Sequence, residues 1–273
     1  MLKVTVLAEN SAYGSYRGEH GLSLYIENDS HKILLDAGQS SLFIENAAGL
    51  GIDLAQADIA LLSHAHYDHA DGFVHFLKIN NKAKLYKRKE AWEFYYSHHQ
   101  EGMKYIGPAK GMFSDNRDRI VVVDKEKFSF DNTGMFLVSH STPNLSFVGE
   151  KAGLYKSESD ILTADDFAHE QTFVIRTEKG LVIFNSCSHA GPENIIREVL
   201  RCSVEKRIYA YIGGFHLSKY PDEEISEFAK ILKDLEIERI ITGHCTGDKA
   251  FELLREHVGG RIEKMHAGMQ LIL

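Results

Sequence analysis

Residues 57–69, Ala57-Asp58-Ile59-Ala60-Leu61-Leu62-Ser63-His64-Ala65-His66-Tyr67-Asp68-His69, run from a short apolar stretch straight into three imidazoles and a carboxylate. The apolar run predicts a buried strand over 57–62, which puts the cluster on the loop leaving it. Alternate residues of an extended segment face the same way, so His64 and His66 can grip one ion while the turn that follows aims Asp68 and His69 at a second. Nitrogen and carboxylate donors suit Zn²⁺, with Mn²⁺ or Fe²⁺ as further options. The competing reading is a polar loop whose histidines only hydrogen-bond, and ligands from elsewhere in the chain decide between the two.

Three later apolar strands end in the same grammar. Leu181-Val182-Ile183-Phe184 leads into Asn185-Ser186-Cys187-Ser188-His189-Ala190-Gly191. Tyr209-Ala210-Tyr211-Ile212 leads into Gly213-Gly214-Phe215-His216-Leu217, and Ile240-Ile241-Thr242 into Gly243-His244-Cys245-Thr246-Gly247. Each sets a histidine past a buried strand beside glycine, which permits tight turns and close backbone approach, so His189, His216 and His244 can converge on one edge. Taken singly, each is as compatible with a structural histidine as with a ligand.

Around these turns the chain alternates strands and helices. Strands are predicted at 2–8, 21–27, 31–35 and 84–87, with helices at 40–48 and 72–80. The second half predicts strands at 120–123, 135–138, 172–176, 181–184, 207–212 and 239–242, and helices at 192–201, 222–235 and 248–257. No linker rich in Pro, Gly or Ser interrupts the pattern, so one domain over 1–273 is expected. Two halves of strands and helices predict an α/β fold with two sheets face to face and helices outside. The stretch 92–117 carries Trp92, Phe94, Tyr95, Lys104, Tyr105, Lys110 and Arg117. It reads either as a lid that stacks on a flat ring and meets a phosphate, or as an excursion whose aromatics patch the core.

The 273 residues carry 31 Lys and Arg against 39 Asp and Glu, a net charge of −8, which disfavours nucleic acid and anionic membrane as partners. Cys187, Cys202 and Cys245 cannot all pair within one chain, and no secretory signal is apparent, so a reducing cytoplasm is expected. No apolar run reaches the ~18 residues a spanning helix needs.

Ser63-His64-Ala65-His66-Tyr67-Asp68-His69 resembles the metal-binding signature of the metallo-β-lactamase superfamily, a four-layer αββα sandwich. Glu19-His20-Gly21-Leu22-Ser23-Leu24, Leu35-Asp36-Ala37-Gly38-Gln39-Ser40 and the three strand-end turns are similar to one branch of it. That branch comprises metal-dependent hydrolases like the dihydropterin synthase of methanopterin biosynthesis. The resemblance implies His64 and His66 on a first metal, with His189 as the candidate third ligand, and Asp68, His69 and His244 on a second. Cys187 falls where the superfamily has a bridging Asp, so it is either a thiolate ligand or a buried inert cysteine. Asp36 matches the Asp that buttresses the metal loop.

One or two zinc ions and a small-molecule substrate follow from the same resemblance, as does hydrolysis of a phosphorylated, ester or lactone substrate by activated water. Asp68 would orient the water or take its proton; His216 would donate a proton, bind metal or serve the fold. His20, Lys104, Tyr105 and His169 are the expected substrate contacts. A synthase-type transferase releasing pyrophosphate and a non-catalytic binder of nucleotide or phosphate are the alternatives. The segment Ser139-His140-Ser141-Thr142-Pro143-Asn144 lacks the Glu and Arg of the branch's corresponding motif, so the branch's substrate does not carry over by motif.

Overall fold

The computed structural model describes residues 1–130 and 133–273. The chain begins with β1 (Lys3–Ala8), β2 (Ser23–Glu27), β3 (Lys32–Leu35), α1 (Leu42–Gly49), β4 (Ile59–Leu61), α2 (Tyr67–Ala70) and α3 (Phe73–Ile79). Its middle holds β5 (Lys84–Arg88), β6 (Tyr95–His99), β7 (Gly102–Tyr105), α4 (Met112–Asp115), β8 (Ile120–Val123), β9 (Lys127–Ser129) and β10 (Met135–Ser139). Next come α5 (Leu145–Ala152), β11 (Leu154–Glu158), β12 (Ile161–Ala164), β13 (Gln171–Thr177) and β14 (Gly180–Phe184). The last part holds α6 (Pro192–Cys202), β15 (Ile208–Ile212), α7 (Asp222–Asp234), β16 (Arg239–Thr242), α8 (Asp248–Val258), β17 (Ile262–Lys264) and β18 (Gln270–Ile272). These elements form two compact units, Met1–Asp124 with Pro143–Glu170 and His266–Leu273, and Lys125–Thr142 with Gln171–Met265.

The first unit is built on a seven-stranded sheet in the order β18-β1-β2-β3-β4-β5-β8. β1 and β4 read as nearly unbroken apolar runs because they are covered on both faces. Phe43 and Ala47 of α1 and Phe73 and Phe76 of α3 join Leu7, Leu34 and Leu85 in one buried core. β3 and β4 run parallel with Leu35 opposite Leu61, so the residues just past each strand, Asp36 and Ser63, become neighbours. A second sheet in this unit, β12-β11-β6-β7, rests beside α5.

The second unit has the order β17-β16-β15-β14-β13-β10-β9. β14, β15 and β16 are parallel neighbours, so all three open their carboxyl ends onto one edge, as expected from the strand-end turns. Pro192 opens α6 directly after Gly191 at φ 87°, a helix start that needs no amide proton. α7 begins Asp222-Glu223-Glu224, carboxylates that suit the positive end of a helix.

The sheet of β6, β7, β11 and β12, with α5, departs from the sequence expectation, which reads 88–119 and 139–171 as connections. Its strands are half-exposed and mix aromatic with polar residues, as in Tyr95-Tyr96-Ser97-His98-His99, so no apolar alternation marks them. β9, β17 and β18 are three-residue edge strands with the same weak signal. No helix among the described residues is long and apolar enough to cross a membrane.

Candidate functional site

In the first unit a buried carboxylate organises the His/Asp loop. Asp36 has left-handed backbone, φ 56°, an uncommon state for a side-chain-bearing residue and one that marks functional turns. Its Oδ1 accepts the Ser63 N–H at 2.8 Å, and its Oδ2 accepts the Ser63 hydroxyl at 2.6 Å and faces His69 Nδ1 at 2.8 Å. The Ser63 hydroxyl proton is thus committed to Asp36, so its oxygen, 2.8 Å from His64 Nδ1, accepts from that nitrogen. Both His64 and His69 therefore carry a proton on Nδ1 and turn Nε2 to other partners, the arrangement that orients metal-binding imidazoles.

The turn after His66 is the short helix α2, which the sequence reads as loop. Its residues Asp68 and His69 are buried, and Asp68 Oδ2 lies 3.5 Å from His69 Nε2 and 3.2 Å from the half-exposed His20 Nε2. Gly21, at φ 137°, lets the chain pass Asp68: a Cβ there would stand 2.3 Å from the Asp68 carbonyl oxygen. The rings of His64 and His66 are 4.7 Å apart by centroid, and those of His64 and His69 4.2 Å.

Electrostatics separate the imidazoles. Burial drives His66 down to about 3, so His66 is neutral. Burial would lower His69 as well, but the Asp68 and Asp36 carboxylates overcome it and lift it to about 10. A field that holds a proton on His69 Nε2 suits a metal cation at the same lone pair. Imidazoles, a carboxylate and a buttressing aspartate are a donor set that fits Zn²⁺.

His169 is 1% exposed and belongs to this unit, with its Nδ1 2.9 Å from the Ala65 amide and its Nε2 3.0 Å from Asp165 Oδ2. Of the other expected substrate contacts, Lys104 Nζ lies 5.9 Å from the Tyr67 ring centroid. The Tyr105 hydroxyl donates to the Pro108 carbonyl at 2.5 Å. The segment 92–117 divides: Trp92 and Phe94 are about half-exposed, whereas Tyr95, Met112 and Phe113 are core.

In the second unit the three strand-end turns are tied to one another. Asn185 Oδ1 accepts the Ser188 N–H at 2.7 Å, and the Ser188 hydroxyl bonds the Gly214 carbonyl at 2.6 Å and Tyr211 at 2.7 Å. Thr246 Oγ1 accepts the Phe215 N–H at 2.9 Å and pairs with Thr242 at 2.6 Å. A Cβ on Gly213 would stand 1.8 Å from the Asn185 carbonyl oxygen, and one on Gly214 2.4 Å from Cys245 Sγ. Ser188, His216 and His244 have φ of 57°, 51° and 49°, so left-handed backbone recurs at all three turns.

These ties bring His189 and His216 together, ring centroids 4.4 Å apart. They also gather Cys187, His244 and Cys245, whose ligand atoms lie within 4.8 Å of one another. Cys245 accepts the His216 N–H at 3.3 Å. The sequence reading passed over Cys245 as a donor, and over Ser63 and Asp165 as buttresses. The only signals were that Cys245 adjoins His244, Ser63 adjoins His64, and Asp165 stands four residues before His169. The segment 139–142 docks on α6, where the Ser141 and Thr142 hydroxyls reach Glu198 at 2.8 and 3.3 Å.

A family profile described as the metallo-beta-lactamase superfamily matches residues 16–148. The chain is 31% identical to 7,8-dihydropterin-6-methyl-4-(beta-D-ribofuranosyl)-aminobenzene-5'-phosphate synthase of Methanocaldococcus jannaschii, over 98% of this chain and 95% of that protein. It is also 31% identical to Tm1679, described as a metal-dependent hydrolase of the beta-lactamase superfamily, with a TM-score of 0.86 over 100% of this chain and 99% of that one. Zn²⁺-bound PqqB from Methylobacterium extorquens shares the fold at a TM-score of 0.59 and 14% identity, covering 99% and 100% of the two chains.

Proposed function

The chain belongs to the metallo-β-lactamase superfamily, and on that footing we propose that it is a metal-dependent hydrolase of a small phosphorylated, ester or lactone substrate. The observation that carries the reading is the Asp36 network, which commits the Nδ1 protons of His64 and His69 and so makes Nε2 the nitrogen that can meet a cation. Ligand roles carried from the family motif would give His64 and His66, with His189 as the candidate third, to one ion and Asp68, His69 and His244 to a second; Cys187, standing where the family has an Asp, would be either a thiolate ligand or a buried inert cysteine. Zinc is the proposed ion. It supplies Lewis acidity, polarising a phosphoryl or carbonyl oxygen and making water nucleophilic near neutral pH.

The chain's own residues supply orientation and proton handling. Asp68, in reach of His20 and His69, would hold a water in line or accept its proton. His20 is half-exposed, so it can pass that proton to solvent or meet the substrate. His216 would protonate the leaving group, its backbone fixed by the bond to Cys245. The net charge of −8 supports a small-molecule substrate over nucleic acid or membrane, and the free Cys187, Cys202 and Cys245 support a reducing cytoplasm as the proposed location.

A second reading is favoured by the 31% identity to a synthase over nearly the full length: transfer of a dihydropterinylmethyl group from its diphosphate to an arylamine nitrogen, the C–N bond forming as the C–O bond breaks and pyrophosphate leaves. Chelated protein reloaded with zinc, manganese or iron separates the two. Turnover of phosphodiesters or lactones supports the hydrolase, and pyrophosphate release only in the presence of an arylamine acceptor supports the synthase. Absence of metal-restored turnover on either set, with tight binding of nucleotide or phosphate, would turn the assignment to a binding protein.

A further inference from the structure

The loop that bears His64 and His66 lacks ladder partners of its own once β4 ends at Leu61, and its backbone must be held by other means. At its centre the Ala65 N–H donates to His169 Nδ1 at 2.9 Å. A nitrogen that accepts there is unprotonated, so the neutral ring carries its proton on Nε2 and donates it to Asp165 Oδ2 at 3.0 Å. Asp165 Oδ1 accepts the Phe167 N–H at 2.8 Å, which closes the segment 165–169 on itself, and Phe167 takes left-handed backbone at φ 54° to allow it. Asp165 and His169 are 0% and 1% exposed.

This clamp is mounted on the sheet that the sequence leaves unread. The Asp165 N–H donates to the Leu154 carbonyl at the start of β11. Gly149 of α5 lies flush on the Asp165 backbone, where a Cβ would come within 2.1 Å of its carbonyl oxygen. Tyr95 of β6 covers the His169 ring at 4.1 Å between centroids, its hydroxyl anchored on the Glu90 carbonyl. His66, Asp165 and His169 present ligand atoms within 4.8 Å of one another, which invites a reading as a separate metal trio. Both ring nitrogens of His169 are already engaged, one by a backbone donor and one by a carboxylate, so it has no lone pair to give an ion.

We infer that Asp165 and His169 are positioning residues: the pair fixes the Ala65 amide, and through it the spacing of His64 and His66, instead of meeting substrate. The inference rests on the proposed metal role of His64 and His66. In its terms the sheet of β6, β7, β11 and β12 is the abutment of the metal loop. Asp165→Asn has one acceptor where the carboxylate has two, so either the Phe167 N–H or the His169 Nε2–H meets a donor.

Zinc affinity of the full chain, measured by competition with a chromophoric chelator, tests the inference. His169→Phe and Asp165→Asn are expected to bind zinc about 10–100-fold more weakly, the loss typical of an outer partner to a ligand. His169→Asn, whose Oδ1 can still accept the Ala65 N–H, is expected to hold affinity within about 3-fold. A merely structural role would lower the thermal midpoint of all three and leave the zinc affinity of the folded protein unchanged, which overturns the inference. His66→Ala separates the layers: zinc binding unchanged there means the metal reading itself fails, whereas zinc lost there and unchanged in His169→Phe and Asp165→Asn sinks only the clamp. Independently of any variant, imidazole ¹⁵N shifts should show His169 with Nε2 protonated and Nδ1 bare, and the opposite tautomer overturns the inference.

Discussion

The His/Asp loop of the first unit and the strand-end turns of the second both present imidazoles beyond buried strands, yet they are held by opposite means. The loop is braced by buried charge: Asp36 grips Ser63 and His69, and Asp165 grips His169, which grips Ala65. The turns are braced by neutral parts, the Asn185 amide, the Ser188 and Thr246 hydroxyls, and glycines against which neighbouring backbone and sulfur lie closer than a Cβ would allow. A carboxylate can commit a particular ring nitrogen to a proton, which glycine packing cannot do, so the charged bracing of the loop sets tautomer as well as position and the close packing of the turns sets position.

The largest effect should come from removing that charge alone. Asp36→Asn keeps the shape and tolerates the left-handed backbone, but leaves Ser63 and His69 donors short of an acceptor inside the protein. A loss of about 3–5 kcal/mol in denaturant unfolding is expected, with zinc affinity down at least tenfold. A loss below about 1 kcal/mol would mean the loop is held as neutrally as the turns.

Lys87 tests whether the first unit tolerates buried charge without a partner carboxylate. Its ammonium, 2% exposed as a residue, bonds the Ala91 and Arg88 carbonyls and faces the Trp92 and Phe113 rings; burial lowers it to about 8 from 10.5. Between those values the unfolded chain binds the proton and the folded one does not, so stability gains with rising pH from about 8 to 10.5, by about 3 kcal/mol for this group. The difference between wild type and Lys87→Met, followed by urea unfolding across that window, should show the gain vanish in the variant.

On the neutral side, Gly213→Ala sets a Cβ against the Asn185 carbonyl at a φ of 141° and should cost about 2–3 kcal/mol. Gly14→Ala, with no heavy atom within 4 Å of the added carbon, is the control for backbone strain alone, at about 1 kcal/mol. Smallest is Thr246→Val, which removes the acceptor of the Phe215 N–H and should cost about 1 kcal/mol by the same unfolding measurement. Equal losses for Gly213→Ala and Gly14→Ala would remove close packing from the account.

The sequence is legible where chemistry and periodicity coincide. His64, His66, Asp68 and His69 crowd one loop, and Phe184, Ile212 and Thr242 each end an apolar strand just before a histidine turn, so both the ligand candidates and the parallel order of β14, β15 and β16 can be read ahead of the fold. Asp165 is illegible because it acts through His169 on the Ala65 amide, a backbone group 104 residues from that histidine, which leaves no side-chain pattern. His169 reads as a substrate contact for the same reason, since a histidine between Ala168 and Glu170 carries no mark of burial. The strands of the second sheet of the first unit escape because half-exposed aromatic and polar residues give neither a period of two nor an apolar run.

Anomalous diffraction at the zinc edge, from crystals grown with zinc, bears most directly on the claim that this loop holds a cation. The account predicts a peak at bonding distance, about 2.0–2.1 Å, from Nε2 of His64 and of His66. Clear density for both rings with no anomalous peak beside either would contradict it.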